Sequence, residues 1–344
     1  MNVVPLLLFE YFVYYFRKSL KRGMEMQNLY ITRKLPEQLV GQLRPYYNIT
    51  AWDSEDTVAP TSFTLAQIAD AHAIWANVAD TISKEIIDAA PNLKMVSNLA
   101  VGYNNIDAAY LKEKGVILTN TPNVLNNATA DLAFALLMAT ARRLPQNIEA
   151  IRRNEWGSWS VGFGLGMDIA EKTLGIIGMG KIGQTLAKRA TGFDMNILYH
   201  NRSRNVEAEQ LYGATYCDLS TLLQQADYVV IFTPLTEETR NLITLNELKQ
   251  MKRSAILINA ARGGIVNEAD LYTALKEKII WAAGSDVFET EPITANHPLL
   301  TLDNFVGLPH IGSATIETRQ AMMQCNVDSL IAGAKGEPIP YIVR

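Results

Sequence analysis

From Asn28 onward, short apolar runs alternate with amphipathic stretches. Leu29-Tyr30-Ile31-Thr32, Lys94-Met95-Val96-Ser97-Asn98 and Gly115-Val116-Ile117-Leu118 have the composition of strands. Between them, Pro36 to Leu43 and Asp80 to Ala89 carry helical spacing, with Thr81 or Ser83 available as N-caps. Residues 128–143 (Ala-Thr-Ala-Asp-Leu-Ala-Phe-Ala-Leu-Leu-Met-Ala-Thr-Ala-Arg-Arg) predict a helix that is apolar almost all round. Such a helix belongs between neighbours or in a subunit interface. A Trp- and Gly-rich loop follows, from Trp156 to Gly166. A second alternating series then offers strands at 174–178, 195–199, 228–232, 255–259, 282–287 and 304–308, and a final helix runs from about 313 to 333. Alternation of this kind predicts parallel sheets covered on both faces. Six strands in the second series match the count of a dinucleotide-binding sheet.

Composition narrows the classes. The chain has 344 residues, 48% hydrophobic and 19% charged, which is globular rather than disordered and enough for two domains. A formal net charge of −4 argues against nucleic acid as a partner. Only Cys217 and Cys325 occur, without CxxC spacing, so neither a disulfide framework nor a zinc site is expected, and a reducing cytoplasm fits. Residues 3–16 form an apolar run followed by basic residues from Arg17 to Arg22. A secretory signal carries its charge ahead of the apolar stretch, and the run is shorter than the ~20 residues of a bilayer span. Residues 1–26 are therefore read as an extension outside the fold, with Met24 or Met26 opening the folded protein. A membrane-surface anchor is the alternative; stable membrane insertion is not expected.

Gly178-Met179-Gly180-Lys181-Ile182-Gly183 follows an apolar strand pattern and opens a helical one. In that setting the glycines serve a tight turn, close approach to a pyrophosphate, and close helix–strand packing. The helix N-terminus adds free N–H groups and a positive dipole end. About 20 residues on, NAD enzymes place an acid against the ribose 2′-hydroxyl. Here the stretch reads Tyr199-His200-Asn201-Arg202-Ser203-Arg204, without an acid. Arg202, Ser203 and Arg204 suit a 2′-phosphate, which favours NADP, with NAD as the alternative. A solvated basic loop is the plainer reading of the same residues.

The chain from about Leu29 onward resembles the D-isomer-specific 2-hydroxyacid dehydrogenase family, and within it the glyoxylate/hydroxypyruvate reductases. Beside the glycine turn, the segments that carry the resemblance are Asn98-Leu-Ala-Val-Gly-Tyr-Asn-Asn-Ile-Asp107, Thr119-Asn-Thr-Pro-Asn-Val-Leu125 and Ala128-Thr-Ala-Asp-Leu-Ala-Phe134. Further along come Ile258-Asn-Ala-Ala-Arg-Gly-Gly-Ile-Val266, Ser285-Asp-Val-Phe-Glu-Thr-Glu-Pro292 and Leu308-Pro-His-Ile-Gly-Ser-Ala-Thr315.

The resemblance implies an α/β protein of two Rossmann-like or flavodoxin-like parallel-sheet domains with an active-site cleft between them. Residues 27–126 and 313–344 would form the substrate domain, and 127–312 the dinucleotide domain. It implies His310 as proton donor, Glu291 as its partner carboxylate and Arg262 as clamp on the substrate carboxylate and carbonyl. The Val101-Gly102 turn would offer backbone N–H groups to that carboxylate. Asp286 would accept from the nicotinamide carboxamide, and Thr233 and Pro234 would line the adenosine side. Singly, each of these residue types is at home in an ordinary loop; together, beyond the carboxyl ends of strands, they form a ligand site. His72, His200 and His297 have no matching partners and are read as structural. Departures from the family pattern are Asn104-Asn105, Asn126-Asn127, Ser285 before Asp286, and the proline-free stretch 161–166. Trp156 and Trp159 resemble an aromatic pair that closes a substrate pocket, and a homodimer follows by the same resemblance. The implied activity is NADPH-preferring reduction of glyoxylate, hydroxypyruvate or 2-ketogluconate to the D-2-hydroxy acid. The alternatives are a regulatory dinucleotide-binding protein of the same fold, and a phosphoglycerate dehydrogenase lacking a regulatory domain.

Overall fold

The computed structural model describes residues 26–343; the apolar run of residues 3–16 and its basic sequel lie outside them. The described chain divides into two compact units, one reaching Thr121 and resuming at Met323, the other Pro122–Met322.

The first unit holds five parallel strands, Gln27–Ile31 (β1), Tyr47–Ala51 (β2), Ala73–Asn77 (β3), Met95–Leu99 (β4) and Ile117–Thr119 (β5), in the order β2-β1-β3-β4-β5. The order reverses between β1 and β3, the flavodoxin-like arrangement. Successive residues of a strand face opposite sides. Tyr30, Ile74, Val96 and Leu118 accordingly share one core. On the other side the last helix packs down: the Tyr47 hydroxyl donates to the Leu330 carbonyl (2.8 Å), and Asn326 Nδ2 donates to Ser97 Oγ (2.8 Å). Strands β2 and β3 had no counterpart in the hydropathy reading, since β2 is an edge strand with Asn48, Thr50 and Ala51 exposed, and β3 has only four apolar residues before Asn77. The helical stretch expected over 80–89 is confined to Lys84–Asp88. Ser83 caps it, and Asp80 is drawn instead into a buried ion pair with Arg33 (2.9 Å).

The second unit holds seven parallel strands, one more than expected: Thr173–Ile177 (β6), Asn196–His200 (β7), Thr215–Tyr216 (β8), Tyr228–Ile231 (β9), Ile256–Asn259 (β10), Ala282–Ser285 (β11) and Phe305–Gly307 (β12). The added β8 is a two-residue edge strand, too short to leave a hydropathy pattern. The order is β12-β11-β10-β9-β6-β7-β8, reversing between β6 and β9. That is the doubly wound dinucleotide-binding order with one further strand. Ile176, Val230 and Ile258 enter one core, while Ile177, Val229 and Leu257 enter the core on the opposite face. Both faces are buried, which is why these strands read as continuous apolar runs.

The Ala-rich helix spans Asn126–Ala141 and is buried against the sheet. It stops two residues short of expectation because Arg143 takes a left-handed φ of 51°, and a second helix, Leu144–Arg152, begins there. The last helix is Ile316–Lys335. No helix among the described residues is long and apolar enough to cross a membrane.

Candidate active site

The glycine turn joins β6 to the helix Lys181–Ala190, whose N-cap is Gly180. Gly178 has φ 105°, and a Cβ there would meet Thr233 N at 2.6 Å, so the turn lies against the end of β9. A Cβ on Gly183 would strike the Gly178 carbonyl, which accounts for glycine inside the first helical turn. Gly180 differs: a Cβ there would meet nothing within 4 Å. Its missing side chain leaves open space over Lys181 and Ile182 at the helix start, where an anion meets N–H groups. The turn fits a pyrophosphate.

The basic loop after β7 is partly committed. Arg204 is held by Glu209 in two bonds (Nε 3.0 Å, Nη2 2.5 Å), and Tyr199 donates to the same carboxylate (2.6 Å). Those bonds hold the Glu209 carboxyl below its ordinary range, Arg204 foremost. Arg202 and Ser203 are exposed, with no hydrogen bond or ion pair among the described residues. Asn201 accepts from Met179 N (2.9 Å) and Asn205 donates to the Met179 carbonyl (2.8 Å), tying this loop to the glycine turn.

Arg262, Glu291 and His310 follow β10, β11 and β12, three adjacent strands, at their carboxyl ends. Asn259 fixes the first connection, accepting from Ala261 N (3.1 Å) and donating to the Arg262 carbonyl (3.0 Å). A Cβ on Gly263 would fall on the backbone of Phe288 and Glu289, so this glycine lets the Arg262 loop lie directly on the loop bearing Glu291. Burial pulls the Arg262 guanidinium below its ordinary value, with the Glu291 charge opposing. An arginine so placed stays protonated.

His310 Nδ1 lies 2.6 Å from Glu291 Oε2, and Glu291 Oε1 accepts from Phe288 N (2.8 Å). Burial pushes the Glu291 carboxyl up, but the His310 hydrogen bond and charge, the Phe288 N–H and the Arg262 charge together hold it below the usual range. With an ionised carboxylate at Nδ1, that nitrogen donates and Nε2 is left for chemistry. His310 has a left-handed φ of 55°. Asp286 stabilises that turn: its two oxygens accept from Ile311 N and Gly312 N, both at 2.8 Å. Burial raises the Asp286 carboxyl above its usual range despite these bonds. Ser285, the departure noted beside it, donates to the Val287 carbonyl (2.7 Å) and is itself buried.

The first unit holds the Val101-Gly102 turn, just after β4, with both residues half-buried. The other histidines are structurally engaged: His72 Nδ1 accepts from Asn28 N, His200 Nδ1 lies 3.0 Å from the Cys217 carbonyl, and His297 pairs with Glu268 (3.1 Å). Sequence reasoning missed Glu209, Gly263 and the loop-holding part of Asp286. Glu209 left no signal, because it stands in a helix beyond the stretch where an acid was sought. The Arg-Gly-Gly spacing was the one available hint for Gly263.

A Rossmann-order sheet with a glycine turn at its switch point, and an Arg, Glu and His on adjacent strand ends, defines a nicotinamide-dinucleotide oxidoreductase. A family profile, D-isomer specific 2-hydroxyacid dehydrogenase, NAD binding domain, matches residues 134–312, and the chain belongs to that family. It is 45% identical over 320 residues to a glyoxylate reductase of Thermococcus litoralis, covering 92% of this chain and 96% of that one. It is 42% identical to glyoxylate/hydroxypyruvate reductase B of Salmonella heidelberg, covering 90% and 95%. Among solved structures, an NADPH-dependent glyoxylate/hydroxypyruvate reductase of Sinorhizobium meliloti, in complex with NADP and malonate, superposes with a TM-score of 0.83 at 30% identity, covering 93% and 97%. The protein is a D-2-hydroxyacid dehydrogenase.

Proposed function

We propose that the chain reduces a small 2-keto acid, glyoxylate or hydroxypyruvate, to the D-2-hydroxy acid, with NADPH preferred over NADH. The observation that carries this reading is the His310–Glu291 contact of 2.6 Å beside Arg262, on strand ends of a dinucleotide-binding sheet. The cofactor, when bound, supplies the hydride for the keto carbon. Gly178, Gly180, Lys181, Ile182 and Gly183 hold its pyrophosphate, and Thr233 and Pro234 line the adenosine side. Arg202 and Ser203 take a 2′-phosphate, with Arg204 kept on Glu209 as a secondary contributor. Each Asp286 oxygen retains a second lone pair, so the carboxylate that holds the His310 turn also accepts from the nicotinamide carboxamide.

Arg262 polarises the carbonyl and steadies the carboxylate with its planar fork. His310, protonated on both nitrogens, gives its Nε2 proton to the developing alkoxide while Glu291 retains Nδ1–H. The imidazole then regains a proton from solvent. The relatives named for glyoxylate and hydroxypyruvate support these substrates. An apolar group of exposed residues, Trp156, Trp159, Val161, Phe163 and Leu165, supports a homodimer.

The test is steady-state oxidation of NADPH and NADH with glyoxylate, hydroxypyruvate, pyruvate and 2-ketogluconate in parallel. The reading expects turnover with the first two and a higher kcat/KM with NADPH. Absence of turnover with all four, alongside measurable NADPH binding, would overturn it. Arg202→Asp is expected to weaken NADPH far more than NADH; equal losses would sink the cofactor assignment.

A further inference from the structure

We infer that Asn120 is a positioning residue that aims the backbone N–H of Gly102, beside that of Val101, at the carboxylate of the 2-keto acid, with Asn98 holding the next peptide of the turn, an inference that rests on the function proposed above. Three consecutive carbonyls fix the turn. That of Ala100 accepts from Thr121 N (3.0 Å), that of Val101 from Asn120 Nδ2 (2.8 Å), and that of Gly102 from Asn98 Nδ2 (3.0 Å). In a planar trans peptide the carbonyl and the following N–H point in opposite directions. The first two bonds both run to the segment after β5, so they turn the N–H groups of Val101 and Gly102 away from it. Neither N–H has an acceptor among the described residues, although each belongs to a half-buried residue. Backbone donors so placed ordinarily find a partner, and two successive ones form a concave seat for an oxyanion.

The amides are themselves held. Asn98 is fully buried and within 3.4 Å of the Asn105 amide, whose Nδ2 donates to the carbonyls of Asn77 (3.1 Å) and Asp80 (2.9 Å). Asp80 accepts from Asn77 N (2.9 Å) and pairs with buried Arg33. The turn is thereby tied to the ends of β1 and β3. Asparagine suits this work because it donates to a carbonyl without bringing charge beside an anion. An aspartate would set an acceptor against the Val101 carbonyl, and a leucine would fill the space and leave that carbonyl unheld.

The experiment compares Asn120→Leu, nearly isosteric but without the donor, with Asn120→Gln, which keeps it. For Asn120→Leu, KM for glyoxylate and the Kd of oxamate for the NADPH complex are expected to rise together about tenfold, the loss of one orienting hydrogen bond. The split matters more than the size: kcat is expected to stay within about twofold, since binding common to ground and transition state is what is removed. NADPH affinity, read by fluorescence, stays unchanged, and Asn120→Gln recovers most of the loss. A folded Asn120→Leu with wild-type oxamate affinity, or with NADPH weakened equally, overturns the inference. If that variant does not fold, Asn120→Ala removes the donor without added bulk and is read in the same way. Wild-type protein that reduces no 2-keto acid and binds no oxamate would overturn the proposed function along with it. Active wild type beside an indifferent Asn120 variant overturns the inference alone.

Discussion

Glu291 shows how one carboxylate is kept ionised where burial alone would neutralise it. Its folded value lies below the ordinary range, so the stability it contributes is present above the unfolded carboxylate value and is lost as pH falls through the folded one. At neutral pH the His310 contact is therefore intact on the carboxylate side. Glu291→Gln removes the charged partner of His310, and kcat for keto-acid reduction is expected to fall about tenfold or more while NADPH affinity stays unchanged. A folded variant with wild-type kcat would show that Glu291 does not assist His310. The residue types and their order were legible in the sequence. Their pairing was legible only through the family resemblance, because Glu291 and His310 are 19 positions apart and meet through the pairing of β11 with β12.

At the scale of elements, the site depends on how closely two connections can pass. Gly263 lies on the Phe288–Glu289 backbone, and a methyl group has no flexible side chain there to displace. Gly263→Ala is expected to lower Tm, with a cost on the order of 1–3 kcal/mol for overpacking, and to reduce kcat by moving the Glu291 loop. Thermal unfolding together with kcat checks this, and a variant with wild-type kcat would separate Gly263 from the chemistry. The glycine turn was readable in advance, since its spacing and its place after an apolar strand are local properties. The short edge strand β8 was not, being two residues long, nor was the separate helix Leu144–Arg152 that begins after left-handed Arg143.

At the scale of the whole molecule, the apolar residues of the 156–165 loop remain uncovered, Trp159 being 82% exposed and Leu165 63%. Side chains of this size in one short loop suit a contact with a second copy of the chain. Light scattering is expected to give a mass near twice the 38.2 kDa of one chain, and Trp159→Asp to shift it toward the monomer. A wild-type protein that stays monomeric at micromolar concentration would refute the dimer.

The sequence by itself determined the alternation of strand and helix and the glycine turn, because hydrophobic periodicity and glycine spacing are written over a few neighbouring positions; Arg262, Glu291 and His310 were reached through the family resemblance. Only the tertiary structure decided the sheet orders, which depend on pairings between strands tens of residues apart. It also decided that Arg204 is already occupied by Glu209, and that the carbonyls of Val101 and Gly102 are held by Asn120 and Asn98. A side chain advertises its donors and acceptors in the sequence, but whether they are spent on the protein or left for a ligand depends on which distant residues the fold brings within about 3 Å.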